Sequence, residues 1–384
     1  MIYAVFVAAT VAIFVVGPRL ARVVETIADR LGIGQVLVGA VLLGVVTSLP
    51  GLVLTVTAAV RGDAELAVSN ALGGVAAQTF FLAVADLFYR TGTLSSGVPT
   101  RQVTYQAAFL LVLLGLVVVA LGSAEATIGR VHPVTPMLAV AYVAGLSLSR
   151  RVDRHGGTEL AAVDAAIGAD VPSGTAASAA EMPDRAVTAH GTRADDTRAD
   201  DSEAEGARGG LRGKMGELEE EPSPRMRELQ RRSTPALWAR FAVFAALLSL
   251  CGFGLAWAGS SIAEETPLSA SSVGLLLTAV ATSTPELVTA VAAARSGAIG
   301  LAAGDIIGGN VFDTLFIAAA DVGAAGSIFA QAGDTAVLLA GFVLLLNALL
   351  LAGLVRQGVG TRNVDRESAA IALVWVVMVA VTFF

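Results

Sequence analysis

Long apolar runs, each closed by Arg, Asp, Glu, Gly or Pro, organise the chain. They fall at Ile2 to Val16, then near 36–60, 65–89, 103–122 and 134–148, and again near 236–258, 272–294, 299–320, 334–355 and 368–383. A helix needs about 20 apolar residues to cross the hydrocarbon core of a bilayer. The pattern therefore predicts an all-α integral membrane protein of ten transmembrane helices, five on each side of a hydrophilic insert. The first run reads as a span and not as a cleaved signal, because its basic residues, Arg19 and Arg22, follow the apolar segment instead of preceding it.

Composition supports this reading. Of 384 residues 55% are apolar and 15% charged, against roughly 25% charged in ordinary soluble domains. About half of the charged side chains lie in 149–235, in stretches such as ADDTRADDSEAEGARGG, while 103–121 and 335–355 hold none. A segment so poor in aromatic and branched residues cannot bury enough apolar surface to offset the entropy of ordering. The expected organisation is a first membrane half at 1–148, a disordered cytoplasmic loop at 149–235, and a second membrane half at 236–384. Cys251 is the single cysteine, which excludes an intramolecular disulfide and any thiolate cluster.

Arginine sets the orientation. With the N-terminus outside, the short cytoplasmic loops carry Arg19, Arg22, Arg30, Arg90, Arg101, Arg295, Arg356, Arg362 and Arg366, and the outer loops only Arg61 and Arg130. Both termini are then outside a cell membrane and the insert inside. An odd number of spans per half means that the halves enter with opposite polarity, as two inverted five-helix repeats.

Shifting the sequence by 235 residues aligns 39–86 with 274–321 without a gap, and 21 of the 48 pairs are identical. Thr47-Ser48-Leu49-Pro50 falls on Thr282-Ser283-Thr284-Pro285, Gly73-Gly74 on Gly308-Gly309, and Thr79 and Asp86 on Thr314 and Asp321. Proline lacks an N–H and clashes with the carbonyl four residues back, so Pro50 is expected to free the Val46 carbonyl and Pro285 the Ala281 carbonyl. Discontinuous helices of this kind satisfy such groups with cations near the midplane of a transporter. Thr47, Ser48, Thr282 and Ser283 add hydroxyl oxygens, hard ligands suited to Na⁺ or Ca²⁺. Glu286 follows Pro285, and Asp305 lies inside the next apolar run. A carboxylate at bilayer depth costs at least about 2.5–3.5 kcal/mol, so both are expected to face the bundle interior. Asp63, Glu65 and Asp86 sit near span ends and read as interfacial charges.

The pattern Thr-Ser-x-Pro-Glu, followed after about 20 residues by Gly-Asp/Asn-x-x-Gly-x-Asn, resembles the alpha repeats of the sodium/calcium exchanger family of cation/Ca²⁺ antiporters. The second half carries it as Thr282-Ser283-Thr284-Pro285-Glu286 and Gly304-Asp305-Ile306-Ile307-Gly308-Gly309-Asn310. The resemblance implies a secondary active antiporter with alternating access around one midplane site. Glu286 and Asp305 would be cation ligands, Asn70 the first-half counterpart of Asp305, and Thr47, Ser48, Thr282 and Ser283 auxiliary oxygens. Its partners would be the lipid bilayer and transported inorganic cations, Ca²⁺ and/or Na⁺, or K⁺ or H⁺, with no resident cofactor and no nucleic acid. The first half departs from the pattern: Gly51 stands where the family has a glutamate, Ser69 precedes Asn70, and Val75 stands opposite Asn310. Asp313 offers a substitute carboxylate, but it lies eight residues beyond Asp305, about 12 Å along a helix.

Enzymatic alternatives find little footing. His132, His155 and His190 lie in a loop or in the insert, which leaves neither a histidine-bound metal nor a Ser–His dyad in the membrane. The second reading is a degenerate family member that exchanges monovalent cations or H⁺, or binds a cation without coupled transport. The topology is tested directly by protease added to right-side-out vesicles, which should leave 149–235 uncut; cleavage there from outside would overturn the orientation.

Overall fold

The computed structural model describes residues 1–31, 44–90, 92–98, 101–149, 232–356 and 365–383. All of them belong to one compact unit, formed by Met1–Gly157 with Leu229–Phe384. The loop expected at 149–235 lies outside the described residues except at its two ends.

The described chain is helical, with an isolated bridge between Ile128 and Val131 and no strand. In order the helices are α1 (Ile2–Leu31), α2 (Gly44–Thr47), α3 (Leu49–Val60), α4 (Ala64–Asp86), α5 (Leu94–Gly97), α6 (Arg101–Gly122) and α7 (Val134–Ser149). They continue as α8 (Thr234–Glu265), α9 (Ala270–Thr282), α10 (Thr284–Arg295), α11 (Ile299–Gly323), α12 (Ile328–Gln331), α13 (Gly333–Arg356) and α14 (Arg366–Phe383). Among the described residues seven helices are long and apolar enough to cross a membrane, or eight if the bent pair α9–α10 is one span. Two of the expected spans fall outside those seven: α7, which coincides with the run at 134–148, and α3, the described helical part of the run at 36–60, whose first residues lie outside the described set.

At the centre lie α4 and α11. Their apolar windows are 89% and 72% buried, whereas the other five long helices range from 17% to 44%. Both are rich in Ala and Gly, 9 of 23 residues and 10 of 25, which lets neighbouring backbones approach. They run antiparallel. The end of α4 and the start of α11 share α5, since Asp86 accepts from the Leu94 N–H and Gly97 abuts Ile299. The end of α11 in turn lies against Val56 and Val60, just before α4 begins. The turn that precedes each is closed by a glycine with positive φ, Gly62 at 89° and Gly297 at 86°, a conformation that other residues rarely adopt.

The 235-residue correspondence extends to α1 and α8. Ile13, Val16, Leu20 and Ala21 are buried, and so are Leu248, Cys251, Leu255 and Ala256 at the matching positions. All of these but Ala21 form a cluster of their own with Val46, Leu54 and Ala281. Each long helix also rests a glycine on the proline of the other half: a Cβ on Gly17 would come 2.6 Å from Pro285 Cγ, and one on Gly252 would collide with the Pro50 carbonyl oxygen.

Asp86 corrects the expectation of an interfacial charge, for it is fully buried. It accepts from the N–H groups of Leu94 at 2.6 Å and Asp365 at 3.0 Å. Its counterpart Asp321, also fully buried, accepts from the N–H groups of Ile328 at 3.0 Å and His132 at 2.8 Å and from the Thr135 hydroxyl at 2.5 Å. Each carboxylate thus ties its own central helix to the loop that follows it and to the last helix of the opposite half. Asp63 and Glu65 do lie at a span end, where Ser260 donates to Asp63 and Ser271 donates to Glu65 through both its N–H and its hydroxyl.

Removing a buried acceptor leaves its donors unsatisfied at about 1–3 kcal/mol each. Asp86→Ala and Asp321→Ala should therefore each lower the thermal unfolding temperature of the purified protein by several degrees, while Asp63→Ala does so less. An unchanged melting curve for Asp86→Ala would remove the staple.

Candidate functional site

Two helix breaks meet beside the crossing of α4 and α11. In the second half α9 and α10 bend by 53° at Ser283, and in the first half α2 gives way to α3 at Ser48. Upstream of the second break, Val273–Thr278 forms a π-turn, a local widening that is frequent at functional sites. Proline at the second position of α3 and of α10 explains why the helices restart there.

The expectation of a free Ala281 carbonyl is corrected. The Thr284 hydroxyl donates to it at 2.7 Å and to the Val280 carbonyl at 3.0 Å, so the break answers its own acceptor. Thr282 likewise turns back on its helix, its hydroxyl donating to the Ala279 carbonyl at 3.1 Å.

A small polar cavity lies between the breaks and the central helices. Its walls include Ser48, Asn70, Gln78, Thr282, Ser283, Glu286 and Asp313, with Gly51, Gly74 and Phe316. None of these described lining residues is basic. Glu286 and Asp313 are only 4% and 3% exposed. Gln78 donates from Nε2 to Asp313 Oδ2 at 2.7 Å. These two residues are themselves 235 positions apart, so the correspondence between halves becomes a direct contact at the point where α4 and α11 cross.

Several lining oxygens accept nothing. Among the described residues, both carboxylate oxygens of Glu286, Oδ1 of Asp313, Oε1 of Gln78 and Oγ of Ser48 have no hydrogen-bond partner although they are buried. Native cores leave few such atoms. Here five gather around one space, all on hard oxygen ligands, and two of the groups are carboxylates. That donor set fits a Na⁺- or Ca²⁺-like cation.

The residues singled out from the sequence are placed unequally. Ser48, Asn70, Thr282, Ser283 and Glu286 line the cavity. Thr47 is buried beside Glu286 without lining it. Asn70 is committed to the bundle: its Nδ2 donates to Thr55 Oγ1 at 2.9 Å and its Oδ1 accepts from Thr278 Oγ1 at 2.7 Å. Asp305 does not line the cavity, and lies instead next to Thr289, whose hydroxyl is 3.5 Å from its Oδ2. Asp313 takes the place beside Glu286 that the sequence reading gave to Asp305. Along α11 Asp313 lies about 12 Å from Asp305, whereas the separation that brings it to the same cavity as Glu286 runs across from α11 to α10. Pairing Gln78 with Asp313 in the 235-residue register would have found it.

The asymmetry between Asn70 and Asp305 follows from the break residues. Gly51 carries no side chain, and both it and Asn70 line the cavity; at the corresponding positions Glu286 lines it and Asp305 does not. A Cβ on Gly51 would lie 3.3 Å from Phe316 Cε2 and 3.7 Å from Thr282 Oγ1, which marks the space a first-half carboxylate would have to share.

Residues 1–149 and 236–384 match the family described as sodium/calcium exchanger protein. Solved structures share the fold. The sodium-calcium exchanger NCX_Mj, soaked with 100 mM Na⁺ and 10 mM Sr²⁺, is 14% identical with a TM-score of 0.56, and the similarity covers 99% of each chain. The same exchanger soaked with 2.5 mM Na⁺ and 0.1 mM Ca²⁺ is 13% identical with a TM-score of 0.56, over 99% of this chain and 97% of that one. The H⁺/Ca²⁺ exchanger CAX is 10% identical with a TM-score of 0.61, over 99% of this chain and 85% of that one. No curated protein sequence matches the chain at a significant level. With both membrane halves inside the family match and a multi-pass helical body around two broken helices, this chain belongs to the sodium/calcium exchanger family, whose members are membrane cation transporters and not enzymes.

Proposed function

We infer that the chain is a secondary active cation antiporter which exposes one central site, built on Glu286 and Asp313, alternately to the two sides of a cell membrane. The observation that carries this is the pair of deeply buried carboxylates with three oxygens lacking any described hydrogen-bond partner. Ser48 and Gln78 would complete the set with neutral oxygens, and Ser283, Thr282 and Asn70 would shape its walls. The wider reading is ten spans in two inverted five-helix halves, 1–148 and 236–384, with 149–235 as a cytoplasmic loop and both termini outside. The antiparallel course of α4 and α11 and the cross-half staples at Asp86 and Asp321 support it.

Charge sets the class of cargo. Two carboxylates balance one divalent ion or two monovalent ions, so Ca²⁺ against Na⁺ or H⁺ is the exchange that the site accommodates. At about 4 Å and an effective dielectric of 20, two unit charges interact by about 4 kcal/mol, and a divalent ion doubles that. The absence of a carboxylate at position 51 thus weakens the hold on Ca²⁺ more than that on Na⁺, which favours weak Ca²⁺ binding or monovalent exchange over tight Ca²⁺ binding.

The test is ion flux in proteoliposomes with Ca²⁺, Na⁺, K⁺ and H⁺ gradients imposed separately. Glu286→Gln and Asp313→Asn should each abolish coupled flux while the protein still elutes as a folded species. Undiminished flux in both would sink the site. Radiolabelled Ca²⁺ binding in competition with Na⁺ examines the missing carboxylate: Gly51→Glu combined with Phe316→Leu, which relieves the 3.3 Å contact, should raise Ca²⁺ affinity relative to Na⁺ by at least about tenfold. Tight Ca²⁺ binding by the native protein, unaltered in the double variant, would show that another ligand fills the gap.

A further inference from the structure

Asp305 stands apart from the cavity but not from its carboxylates. It lies on α11 eight residues before Asp313, about 12 Å, toward the end of the helix that follows Arg295. The Thr289 hydroxyl that approaches Asp305 Oδ2 to 3.5 Å also bonds to the Glu286 carbonyl at 3.1 Å. Thr289 is three residues after Glu286 and therefore shares its face of α10. Glu286 in turn lies within the electrostatic reach of both Asp305 and Asp313. Burial follows the same order, with Asp305 partly exposed and the other two almost wholly enclosed. The three carboxylates form a row that leads from the Arg295 end of the α10–α11 pair to the cavity.

A row of acids is not by itself a path. The second observation is Glu286, more than nine-tenths buried with both oxygens unpartnered among the described residues, placed between Asp305 and the cavity. One carboxylate so placed can serve either neighbour by a side-chain rotation. The mirror position offers nothing comparable, because Asn70 is neutral and already held by Thr55 and Thr278, and Gly51 has no side chain to turn. Arg295, the cation that closes α10, is engaged over the Phe88 ring at 4.7 Å.

We propose that Asp305 and Thr289 form an outer cation subsite, from which a hard cation passes to Glu286 and on to Asp313, and that this subsite serves only the membrane face at the Arg295 end. The proposal rests on the reading of the cavity as a cation site. Asp305 then sets how fast ions reach and leave the cavity from one side, and not how tightly the cavity holds them. Clefts lined by one sign of charge raise on-rates by 10- to 1,000-fold, which is the order of the effect to be measured.

The experiment uses the purified full-length protein in detergent, with Ca²⁺ as the probe. Equilibrium affinity and the rates of association and dissociation are measured for the native protein, Asp305→Asn, Thr289→Val and Glu286→Gln. Asp305→Asn should leave affinity nearly unchanged while both rates fall at least about tenfold, Thr289→Val should slow them less, and Glu286→Gln should lose equilibrium binding. In proteoliposomes of fixed orientation, Asp305→Asn should slow uptake from the Arg295 face more than from the other. Loss of affinity in Asp305→Asn equal to that in Glu286→Gln would overturn the proposal by making Asp305 a ligand of the cavity itself. Unchanged rates would overturn it by leaving Asp305 no part in ion access. Native protein that binds Ca²⁺ but drives no exchange would refute the antiport reading alone, since the binding rates still decide the subsite.

Discussion

A carboxylate that cannot reach water must be answered from within the protein, and the described core treats four of its five buried ones in two opposite ways. Asp86 and Asp321 are surrounded by N–H and O–H donors, so their burial is offset and they act as ties. Among the described residues Glu286 and Asp313 meet far fewer: the Gln78 amide donates to Asp313, Thr47 lies beside Glu286 and Ser48 beside Asp313, and three of the four carboxylate oxygens accept no hydrogen bond of ordinary geometry. The saturated acids act as ties, and the undersupplied pair is the one proposed to hold a cation. An unsatisfied buried group costs about 1–3 kcal/mol, and more when charged, so the arrangement holds two acids in a state that a cation or protons can relieve. The packing of α4 against α11, the two proline breaks and the cross-half staples all serve to keep that shortage in place.

The two halves divide this labour unevenly. The first contributes Ser48, Gln78 and the bare backbone of Gly51, and the second both carboxylates. Charge therefore resides on one side of the crossing while neutral oxygens face it from the other. This explains why positions in perfect register, such as Asn70 and Asp305, occupy different surroundings: the break residue preceding each is a glycine in one case and a glutamate in the other.

Much of this was legible in the sequence. Hydropathy and composition pointed to the membrane class, and the 235-residue shift to the paired breaks and the place of Glu286 beside one of them. What remained hidden was everything that depends on which helix lies opposite. Asp313 looked remote because distance along α11 says nothing about distance across to α10. Asp86 looked interfacial because its donors, Leu94 and Asp365, are separated from it by a loop and by most of the chain. The Ala281 carbonyl looked free because local proline sterics are readable from sequence, whereas the rotamer by which Thr284 answers the carbonyl is not.

The staples carry a further implication for the origin of such a chain. Asp86 in the first half is satisfied in part by the start of α14 in the second, and Asp321 in the second by the start of α7 in the first. Neither half alone can saturate its own central acid. Two copies of a single five-helix half, inserted in opposite directions, would satisfy each other by this same exchange of donors. Two copies inserted in the same direction would leave both acids facing the wrong end of the partner. The reciprocal bonding thus makes the two halves interdependent at their buried charges, independently of the segment that joins them.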